Sequence, residues 1–431
     1  MTDLVIRNAV IVTADPARPV VEGGLAVTGG RIEALGEVPD RAQESIDAEG
    51  GILAPGLVNT HCHAADSLFR GLVEDLPLEP WLQTVWKAEG AILSPETCRL
   101  GARLGFAELA LGGCTSVVDM FWHPDQTVEA AREIGLRVSC GGLYFDPPGM
   151  DGRTAAVRDP DAERFFADHP ATDRLRPGTF PHGAYTVGPE NLKRSKQMAD
   201  AHEGLWSVHA AETRVEQATV IDRYGKTVIR HLDALGTLDP RAILAHCVHL
   251  DDEEIAILAR TGAVVAHNPV SNLKLASGFA RVPDMLAAGV HVTLGTDGAI
   301  SGNDLDMWLA LRLSATLHKA ASGRADAVST AQALDMATLA GARAMGLGAV
   351  TGSLEVGKAA DMILLDVSAP HAVPMFDPVT HLVYSASKAD VRHVWSDGDW
   401  VVRDRRLTRF DMAETLAEVR ALVPAIRAAI A

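Results

Sequence analysis

Short apolar segments alternate with helical stretches through the middle of the chain. Each apolar segment is rich in β-branched residues and ends in polar ones, and most are followed by about ten or more residues of helical pattern, which is typical of βαβ units around a parallel sheet. Eight segments fit this description, and they predict an α/β fold with a TIM-like (β/α)8 barrel. The predicted strands are Gly56–His61, Thr115–Met120, Arg137–Leu143, Thr179–His182, Trp206–His209, Ala242–His246, Ala263–His267 and Val290–Gly295.

The two chain ends have a different pattern. Strand-like runs such as Ala9–Val12 near the start and Met362–Asp366 near the end are separated by tight turns, among them Gly29-Gly30. A Gly-Gly pair between alternating apolar runs is typical of a two-residue hairpin. We therefore predict that residues 1–55 and 350–431 form one small β-sandwich domain, with a closing helix at 411–430, and that residues 56–349 form the barrel.

Composition and charge narrow the function classes. The chain has 431 residues, 47% hydrophobic and 22% charged, with 39 Lys and Arg against 56 Asp and Glu and a formal net charge of −17. An acidic surface disfavours nucleic acid and anionic membranes as partners. The five cysteines form no Cys-x-x-Cys pair, and neither a secretion signal nor a membrane-length apolar run is visible. These features predict a cytoplasmic protein that acts on a small molecule.

Histidines are concentrated where the predicted strands end. His61 and His63 follow the first strand, His209 ends the fifth, His246 ends the sixth, and Asp297 follows the eighth. Side chains two apart on a strand share a face, so the His-x-His pair can aim both rings at one point. Singly, each residue is better explained as a buried histidine or a helix cap. Together, at neighbouring strand ends, they predict a metal site.

Three imidazoles and one carboxylate leave an open position, which is typical of a catalytic site rather than a closed structural one. The fourth strand ends in Pro181-His182-Gly183, without a lysine that could be carboxylated to bridge two metals. The sequence therefore predicts one divalent metal. Zinc is favoured, while iron(II) and manganese(II) accept the same His/Asp donors and stay open.

Several motifs carry a family resemblance over nearly the whole chain. They are Pro55–His61, Leu68-Phe69-Arg70-Gly71, Ala245–Leu250, Ser271–Leu275 and Gly295–Ala299. The chain resembles the amidohydrolase superfamily in its mononuclear branch. Within that branch it is most similar to the methylthioadenosine/S-adenosylhomocysteine deaminases, and it shares much of the scaffold with triazine hydrolases.

The resemblance implies roles for individual residues. His61, His63, His209 and Asp297 match the metal ligands, Glu212 matches a proton shuttle, and His246 matches the residue that contacts the attacking water. Asp297 also matches the group that takes the proton of this water. The implied substrate contacts are Glu89, facing ribose hydroxyls, His182 in a Pro-His-x-x-Tyr segment, Trp86 beside the purine, and Arg153, as a partner for a carboxylate tail.

The predicted function is therefore hydrolytic deamination of an aminated heterocycle, above all the adenine ring of a nucleoside such as 5′-methylthioadenosine, S-adenosylhomocysteine or adenosine. The third strand ends in Ser139-Cys140-Gly141-Gly142-Leu143, where an arginine for the homocysteine carboxylate is expected, so an uncharged 5′-substituent gains weight. The alternatives are a triazine hydrolase, a guanine, pterin or cytosine deaminase, and, more remotely, an inactive barrel that serves as a structural subunit. A homodimer or higher homo-oligomer is expected.

Overall fold

The computed structural model describes all 431 residues, and 18 strands run through them. Five strands open the chain, nine follow in its middle and four close it. Strands β1 to β5 are Leu4–Val12, Val20–Thr28, Arg31–Gly36, Glu44–Asp47 and Ile52–Pro55. Strands β6 to β14 are Leu57–His63, Cys114–Asp119, Arg137–Tyr144, Leu175–Pro181, Leu205–Ala210, Ala242–His246, Val264–His267, His291–Leu294 and Asp297–Gly298, and strands β15 to β18 are Met362–Leu365, Val391–Ser396, Asp399–Arg403 and Arg406–Leu407.

Sixteen α-helices connect and cover these strands. Helices α1 to α8 are Leu78–Ile92, Pro95–Leu111, Pro124–Ile134, Arg158–Asp168, Pro189–Ala201, Arg214–Tyr224, Val228–Leu235 and Asp252–Thr261. Helices α9 to α16 are Pro269–Lys274, Val282–Ala287, Ala299–Gly302, Met307–Ser322, Thr330–Ala337, Leu339–Ala344, Pro378–Tyr384 and Met412–Ile430. None of them combines the length and the apolar composition that a crossing of a lipid bilayer requires.

The middle strands form the predicted barrel. Strands β6 to β13 lie side by side in chain order and run parallel. Strand β14 follows β13 after two residues and pairs with β6, so the two edges of the sheet meet. The side chain of Asn59 on β6 spans this seam: its Nδ2 donates to Thr296 Oγ1 at 2.7 Å and its Oδ1 accepts from the Thr296 amide at 3.1 Å. The predicted fold class, a (β/α)8 barrel with a small β domain from both chain ends, is confirmed.

The barrel strands are buried along nearly their whole length, because helices cover the outside of the sheet and side chains fill its interior. Close packing explains a glycine on β8. A Cβ atom at Gly141 would lie only 1.9 Å from the carbonyl oxygen of Gly178 on the neighbouring strand β9. The Gly141 backbone therefore approaches β9 at a distance that excludes any side chain.

The second sheet joins both ends of the chain. Its strands follow the order β18-β17-β16-β15-β5-β1-β2-β3, with β4 also paired to β1. Strand β5 lies between β1 and β15, and only Gly56 separates it from β6, the first barrel strand. The chain thus passes directly from the last N-terminal strand of this sheet into the first strand of the barrel. The exact limits of the two domains, 1–55 with 350–431 and 56–349, stay a prediction.

A buried ion pair fastens this sheet to the barrel. Arg137, at the start of β8, donates from Nε to Asp361 Oδ2 at 2.6 Å and from Nη2 to Asp361 Oδ1 at 3.1 Å. Asp361 directly precedes β15, and both side chains are at most 1% exposed. Arg137 also donates to Asp397 Oδ1 and to the carbonyl of Asp173. A bidentate pair with its remaining donors satisfied is the arrangement that offsets the cost of burying charge.

Candidate active site

Four of the predicted site residues meet at the carboxyl end of the barrel strands. His61 and His63 come from β6, His209 from β10 and Asp297 from β14. The Nε2 atom of His63 lies 3.2 Å from His209 Nε2 and 3.2 Å from Asp297 Oδ1. The Nε2 atom of His61 lies 3.4 Å from the same carboxylate oxygen. Parallel strands end at one edge of the barrel, which is why residues so distant in sequence converge here.

Backbone carbonyls fix the orientation of two of these rings. His63 Nδ1 faces the carbonyl oxygen of Met120, and His209 Nδ1 lies 2.6 Å from the carbonyl oxygen of His182. A carbonyl oxygen only accepts, so each Nδ1 carries the proton and each Nε2 presents its lone pair to the cluster. Such outer partners hold metal-binding imidazoles in the required tautomer.

His246, at the end of β11, approaches the same centre. Ligand atoms of His61, His209, His246 and Asp297 all lie within 4.8 Å of one another. Together with His63 Nε2, which is 3.2 Å from His209 Nε2, five side chains surround one point.

The residues present fit a metal ion. Both ring nitrogens of His61 are buried and have no hydrogen-bond partner in the protein, which is costly unless another group binds them. Burial lowers the pKa of His61 to about 4, so its ring is neutral at pH 7 and free to act as a ligand. Burial likewise lowers the pKa of His209, whereas for His63 burial is outweighed by the contact with Asp297, which raises the pKa to about 10, so a metal ion that binds His63 must displace a proton. Imidazoles in the neutral form with one carboxylate form a donor set for zinc, iron or manganese.

Two of these residues have an unusual backbone conformation. His246 has φ +75° and Asp297 has φ +61°, in the left-handed region that non-glycine residues rarely adopt. Each turns at the end of a barrel strand. Strained backbone of this kind is found where the surrounding structure enforces it, often at active sites.

Glu212 lies next to the cluster, in the loop after β10. Its Oε1 accepts from Ser277 Oγ at 3.2 Å, and its Oε2 lies 3.8 Å from His246 Nε2. Burial raises the pKa of Glu212, with the charge of Asp297 adding to the effect and His246 opposing it. A carboxyl group that holds its proton more tightly than usual is suited to acid catalysis near neutral pH.

An open cavity lies above these residues, with about 700 Å³ of free space that includes solvent at its mouth. Helix α1 covers one side and turns one face toward it. The helix residues on this face are Leu78, Trp81, Leu82, Val85, Trp86 and Glu89. The structure therefore brings the predicted contacts Trp86, Glu89 and His182 to the same cavity as Glu212, His246 and Asp297.

Glu89 is buried in this lining and His182 is half-buried. Glu89 Oε2 accepts from Trp122 Nε1 at 3.2 Å. Burial raises the pKa of Glu89 to about 7, although the Trp122 hydrogen bond acts in the opposite direction. Burial lowers the pKa of His182 to about 3, and its Nδ1 lies 2.9 Å from Thr186 Oγ1. The lining thus presents a neutral imidazole and a carboxyl group that titrates near neutral pH.

Arg153, unlike the other predicted substrate contacts, does not line this cavity. Its Nη1 lies 2.6 Å from both carboxylate oxygens of Asp161, and its side chain is 49% exposed. Arg153 instead lines a separate small pocket. An acidic residue eight positions along the chain satisfies the guanidinium at the surface, so nothing draws it inward.

The cavity also contains side chains that sequence reasoning left without a role. Asp66 lies in the 3₁₀ helix Ala64–Phe69 and accepts from the Ala299 amide at 2.9 Å. Trp122 follows β7, and Tyr185 ends the Pro-His-x-x-Tyr segment. The signal for Asp66 was its position three residues after His63. Trp122 offered no comparable signal, because its contact with Glu89 joins two elements that only the fold brings together.

Comparisons with known proteins agree with this geometry. The model of the amidohydrolase family matches residues 52–401. A 5-methylthioadenosine/S-adenosylhomocysteine deaminase of Syntrophobacter fumaroxidans is 38% identical, over 99% of this chain and 98% of the relative. A 5′-deoxyadenosine deaminase of Methanosarcina acetivorans is 39% identical, over 97% of each chain.

Solved structures show the same similarity. An adenosine deaminase from Xanthomonas campestris with bound zinc superposes with a TM-score of 0.96 at 34% identity, over 99% of both chains. An atrazine chlorohydrolase from Arthrobacter aurescens complexed with zinc superposes with a TM-score of 0.89 at 27% identity, over 98% of this chain and all of the other.

Proposed function

The chain belongs to the amidohydrolase family, and from this premise we propose that it is a metal-dependent deaminase that hydrolyses the exocyclic amine of the adenine ring in a nucleoside and releases ammonia. Candidate substrates are 5′-methylthioadenosine, S-adenosylhomocysteine, 5′-deoxyadenosine and adenosine, in keeping with the names of the relatives. The observation that carries the proposal is the convergence of the histidine cluster, Glu212 and Asp297 at the base of a cavity that also contains Glu89.

We assign His61, His63, His209 and Asp297 as the residues that hold one divalent metal. Zinc is the proposed ion, supported by its presence in the adenosine deaminase and chlorohydrolase structures. When bound, such a metal lowers the pKa of water toward about 7 and so makes it a nucleophile at neutral pH. Iron(II) and manganese(II) suit the same donors, and metal analysis of the purified protein distinguishes them.

Asp297, His246 and Glu212 each have a separate role in the proposed proton transfers. Asp297 is the base that takes a proton from the attacking water, and His246 orients this water through Nε2. Attack at ring carbon C6 makes that carbon tetrahedral and pushes an electron pair onto ring nitrogen N1. Glu212 donates its proton to N1, which breaks the aromaticity of the ring and lowers the barrier to attack.

Loss of ammonia completes the reaction. A second proton, returned from Asp297, converts the amine into a neutral leaving group. The hydroxyl on C6 gives up its proton, which restores Glu212 to its protonated form, and the C6–N bond breaks as the electron pair on oxygen forms the carbonyl, so one water is consumed and one ammonia is released. The two acidic residues thus pass protons in sequence without any net change in the protein.

Glu89 is the proposed contact for ribose hydroxyls, and His182 and Trp86 complete the substrate pocket. A buried carboxyl group that faces a cavity needs a donor partner there, and two neighbouring hydroxyls supply one. This position favours a nucleoside over a free base or a triazine, which offers Glu89 no hydroxyl.

Ammonia release across a substrate panel tests the proposal. The panel contains 5′-methylthioadenosine, adenosine, 5′-deoxyadenosine, guanine, a pterin, cytosine and an aminotriazine, with the chlorotriazine followed by chloride release. We expect the adenine nucleosides to have the highest kcat/KM. Preferred turnover of a triazine or a free base would replace the nucleoside assignment, and a metal-free protein that gains no activity from added zinc would support the inactive-barrel alternative.

We also propose that the protein works in a reducing, cytoplasmic compartment. All five cysteines are buried and none forms a disulfide, which supports this assignment.

A further inference from the structure

The cavity above the histidine cluster has an unbalanced set of charged side chains. Its 21 lining residues include four acidic ones and no lysine or arginine. The acidic residues are Asp66, Glu89, Glu212 and Asp297. The four histidines in the lining are already committed: His63, His209 and His246 belong to the cluster, and His182 contacts Thr186. No cationic side chain is therefore available to a substrate anion.

The upper part of the cavity is apolar. Leu78, Trp81, Leu82 and Val85 form a continuous face of α1, and Phe121, Leu275 and Ile300 also line the cavity. This wall matches a methylthio group, a methyl group or a short alkyl chain. A carboxylate or phosphate placed there would lose its hydration without meeting a cationic side chain, which is unfavourable.

Three basic residues close to the lining, Arg153, Arg158 and Lys274, form ion pairs of their own. Leu143 separates the cavity from a second pocket that contains Arg153 and Arg158. Arg153 pairs with Asp161, and Arg158 donates to both oxygens of Asp151 at 2.6 and 3.0 Å. On the opposite side, Lys274 pairs with Glu74 at 3.0 Å. Recruiting any of these cations for a substrate would break an existing ion pair.

From these charges we infer that the site selects adenine nucleosides whose 5′-substituent is uncharged and discriminates against those with a carboxylate or phosphate at that end. The inference rests on the proposed deaminase function and sharpens it. Among the candidate substrates it favours 5′-methylthioadenosine, 5′-deoxyadenosine and adenosine over S-adenosylhomocysteine, and it disfavours adenosine 5′-monophosphate. The discrimination arises from charge and not from the length of the substituent.

The decisive experiment compares S-adenosylhomocysteine with 5′-butylthioadenosine, which has a sulfur-linked chain of the same length but neither the carboxylate nor the ammonium group. Deamination is followed at saturating metal, with 5′-methylthioadenosine as the reference and adenosine 5′-monophosphate as a second substrate that has an anionic group. We expect kcat/KM for the butyl compound to lie within about tenfold of the reference and those for S-adenosylhomocysteine and adenosine 5′-monophosphate to be roughly 100-fold or more below it.

Each alternative result has a distinct meaning. Turnover of S-adenosylhomocysteine within about tenfold of the butyl compound overturns the inference, and so does a butyl compound as poor as S-adenosylhomocysteine, because length would then be the cause. Failure to deaminate any of the adenine nucleosides contradicts the proposed function itself. Deamination of the uncharged nucleosides therefore distinguishes a failure of the charge inference from a failure of the proposed function.

A matched pair of variants tests the same argument by changing the charge of the cavity instead of that of the substrate. Leu82 is half-buried on the cavity face of α1, so Leu82→Arg supplies a cation there and Leu82→Gln supplies a polar side chain without charge. For each variant, kcat/KM for S-adenosylhomocysteine is divided by that for 5′-methylthioadenosine. We expect this ratio to be at least about tenfold higher in Leu82→Arg than in Leu82→Gln. Equal ratios in the two variants would contradict the charge argument.

Discussion

The Nδ1 atom of His246 lies 2.8 Å from the side-chain oxygen of Asn272, and both side chains are buried. An amide oxygen only accepts a hydrogen bond, so the His246 ring carries its proton on Nδ1. The Nε2 atom is left as an acceptor facing Glu212, 3.8 Å from its carboxylate. Asn272, from the short helix α9, thereby selects the tautomer in which His246 can orient a water molecule.

Loss of this contact is expected to impair catalysis without removing metal. Asn272→Ala frees the ring of His246, and we expect kcat/KM to fall about 10–100-fold, as is usual for residues that position a functional histidine. Asn272→Asp keeps an acceptor and should recover part of the activity. Steady-state kinetics and metal content of the same samples measure both effects.

Ser271→Ala is the matched control, since the buried Ser271 hydroxyl lies on the same helix and has no hydrogen-bond partner. It should leave kcat/KM close to that of the wild type. An equal loss in both alanine variants would show that disturbance of α9, and not the His246 contact, is responsible.

Replacing Glu212 by glutamine should abolish proton delivery to the ring. We expect kcat to fall by at least about 100-fold while the metal content stays unchanged, because general acid catalysis typically contributes 10²–10⁴-fold. Glu216→Gln is a suitable control: Glu216 is also buried, but it accepts a hydrogen bond from the Glu212 backbone, which a glutamine oxygen can accept as well. Near-normal turnover in Glu212→Gln would remove Glu212 from the mechanism.

Removal of the metal should abolish activity reversibly. We expect a chelator to eliminate ammonia release and added zinc to restore it, and we expect His209→Ala to be purified without a full complement of metal. His267→Ala serves as the comparison, because His267 is also a buried strand-end histidine but contacts His318, Nε2 to Nε2 at 3.2 Å, outside the cluster. Metal loss of the same extent in both variants would contradict the ligand assignment.

The KM for a nucleoside should depend on pH through Glu89. Burial raises the pKa of Glu89 to about 7, so the carboxyl group is ionised above this pH and protonated below it. The ionised form accepts from two hydroxyls, so KM should rise as the pH falls through about 7. Glu89→Gln should have a higher KM, because it binds the nucleoside more weakly, and this KM should not change with pH over the same range.

Replacing Trp122 should shift the pH dependence of KM in a known direction. Its indole donates to Glu89 and lowers the pKa of that carboxyl group. Trp122→Phe removes the donor, so the pH at which KM begins to rise should move upward. A shift in the opposite direction, or an unchanged profile, would assign the pH dependence to another group.

The ion pair between Arg137 and Asp361 should dominate the stability of the contact between the two sheets. Arg137→Met leaves Asp361 buried and unpaired, and we expect the free energy of unfolding to fall by about 3–5 kcal/mol. Arg31→Met, which removes an exposed ion pair to Asp173, should cost at most about 1 kcal/mol. Denaturant unfolding of both variants measures the difference, and similar losses would show that burial of the pair is unimportant.

The barrel and the histidine cluster at the carboxyl ends of its strands were predictable from the local pattern of apolar and polar residues. The eight strands are continuous apolar runs because both faces of each strand are buried, and the histidines that follow them stand out against such runs. Local signals also mark helix α2, Pro95–Leu111: a serine cap followed by a proline stands at its start and a glycine at its end.

Side-chain partners from distant elements were not predictable in the same way. Arg153 was expected at the substrate, but Asp161 competes for it at the surface. The partner of Asn272 is His246, 26 positions earlier, and no sequence pattern joins the two. Which of several possible partners a polar side chain chooses depends on distances of a few ångströms between elements, and periodicity carries no information about these.

The position of β5 links the site to the order in which the polypeptide is synthesised. β5 leads through Gly56 directly into the strand that carries His61 and His63, yet one of its two neighbours is β15, which begins only at Met362. A ribosome releases every proposed metal ligand, up to Asp297, well before this neighbour exists. A fragment that stops short of Met362 would thus contain the whole proposed catalytic set while one edge of β5 stays open to other strands, a position that invites misassembly.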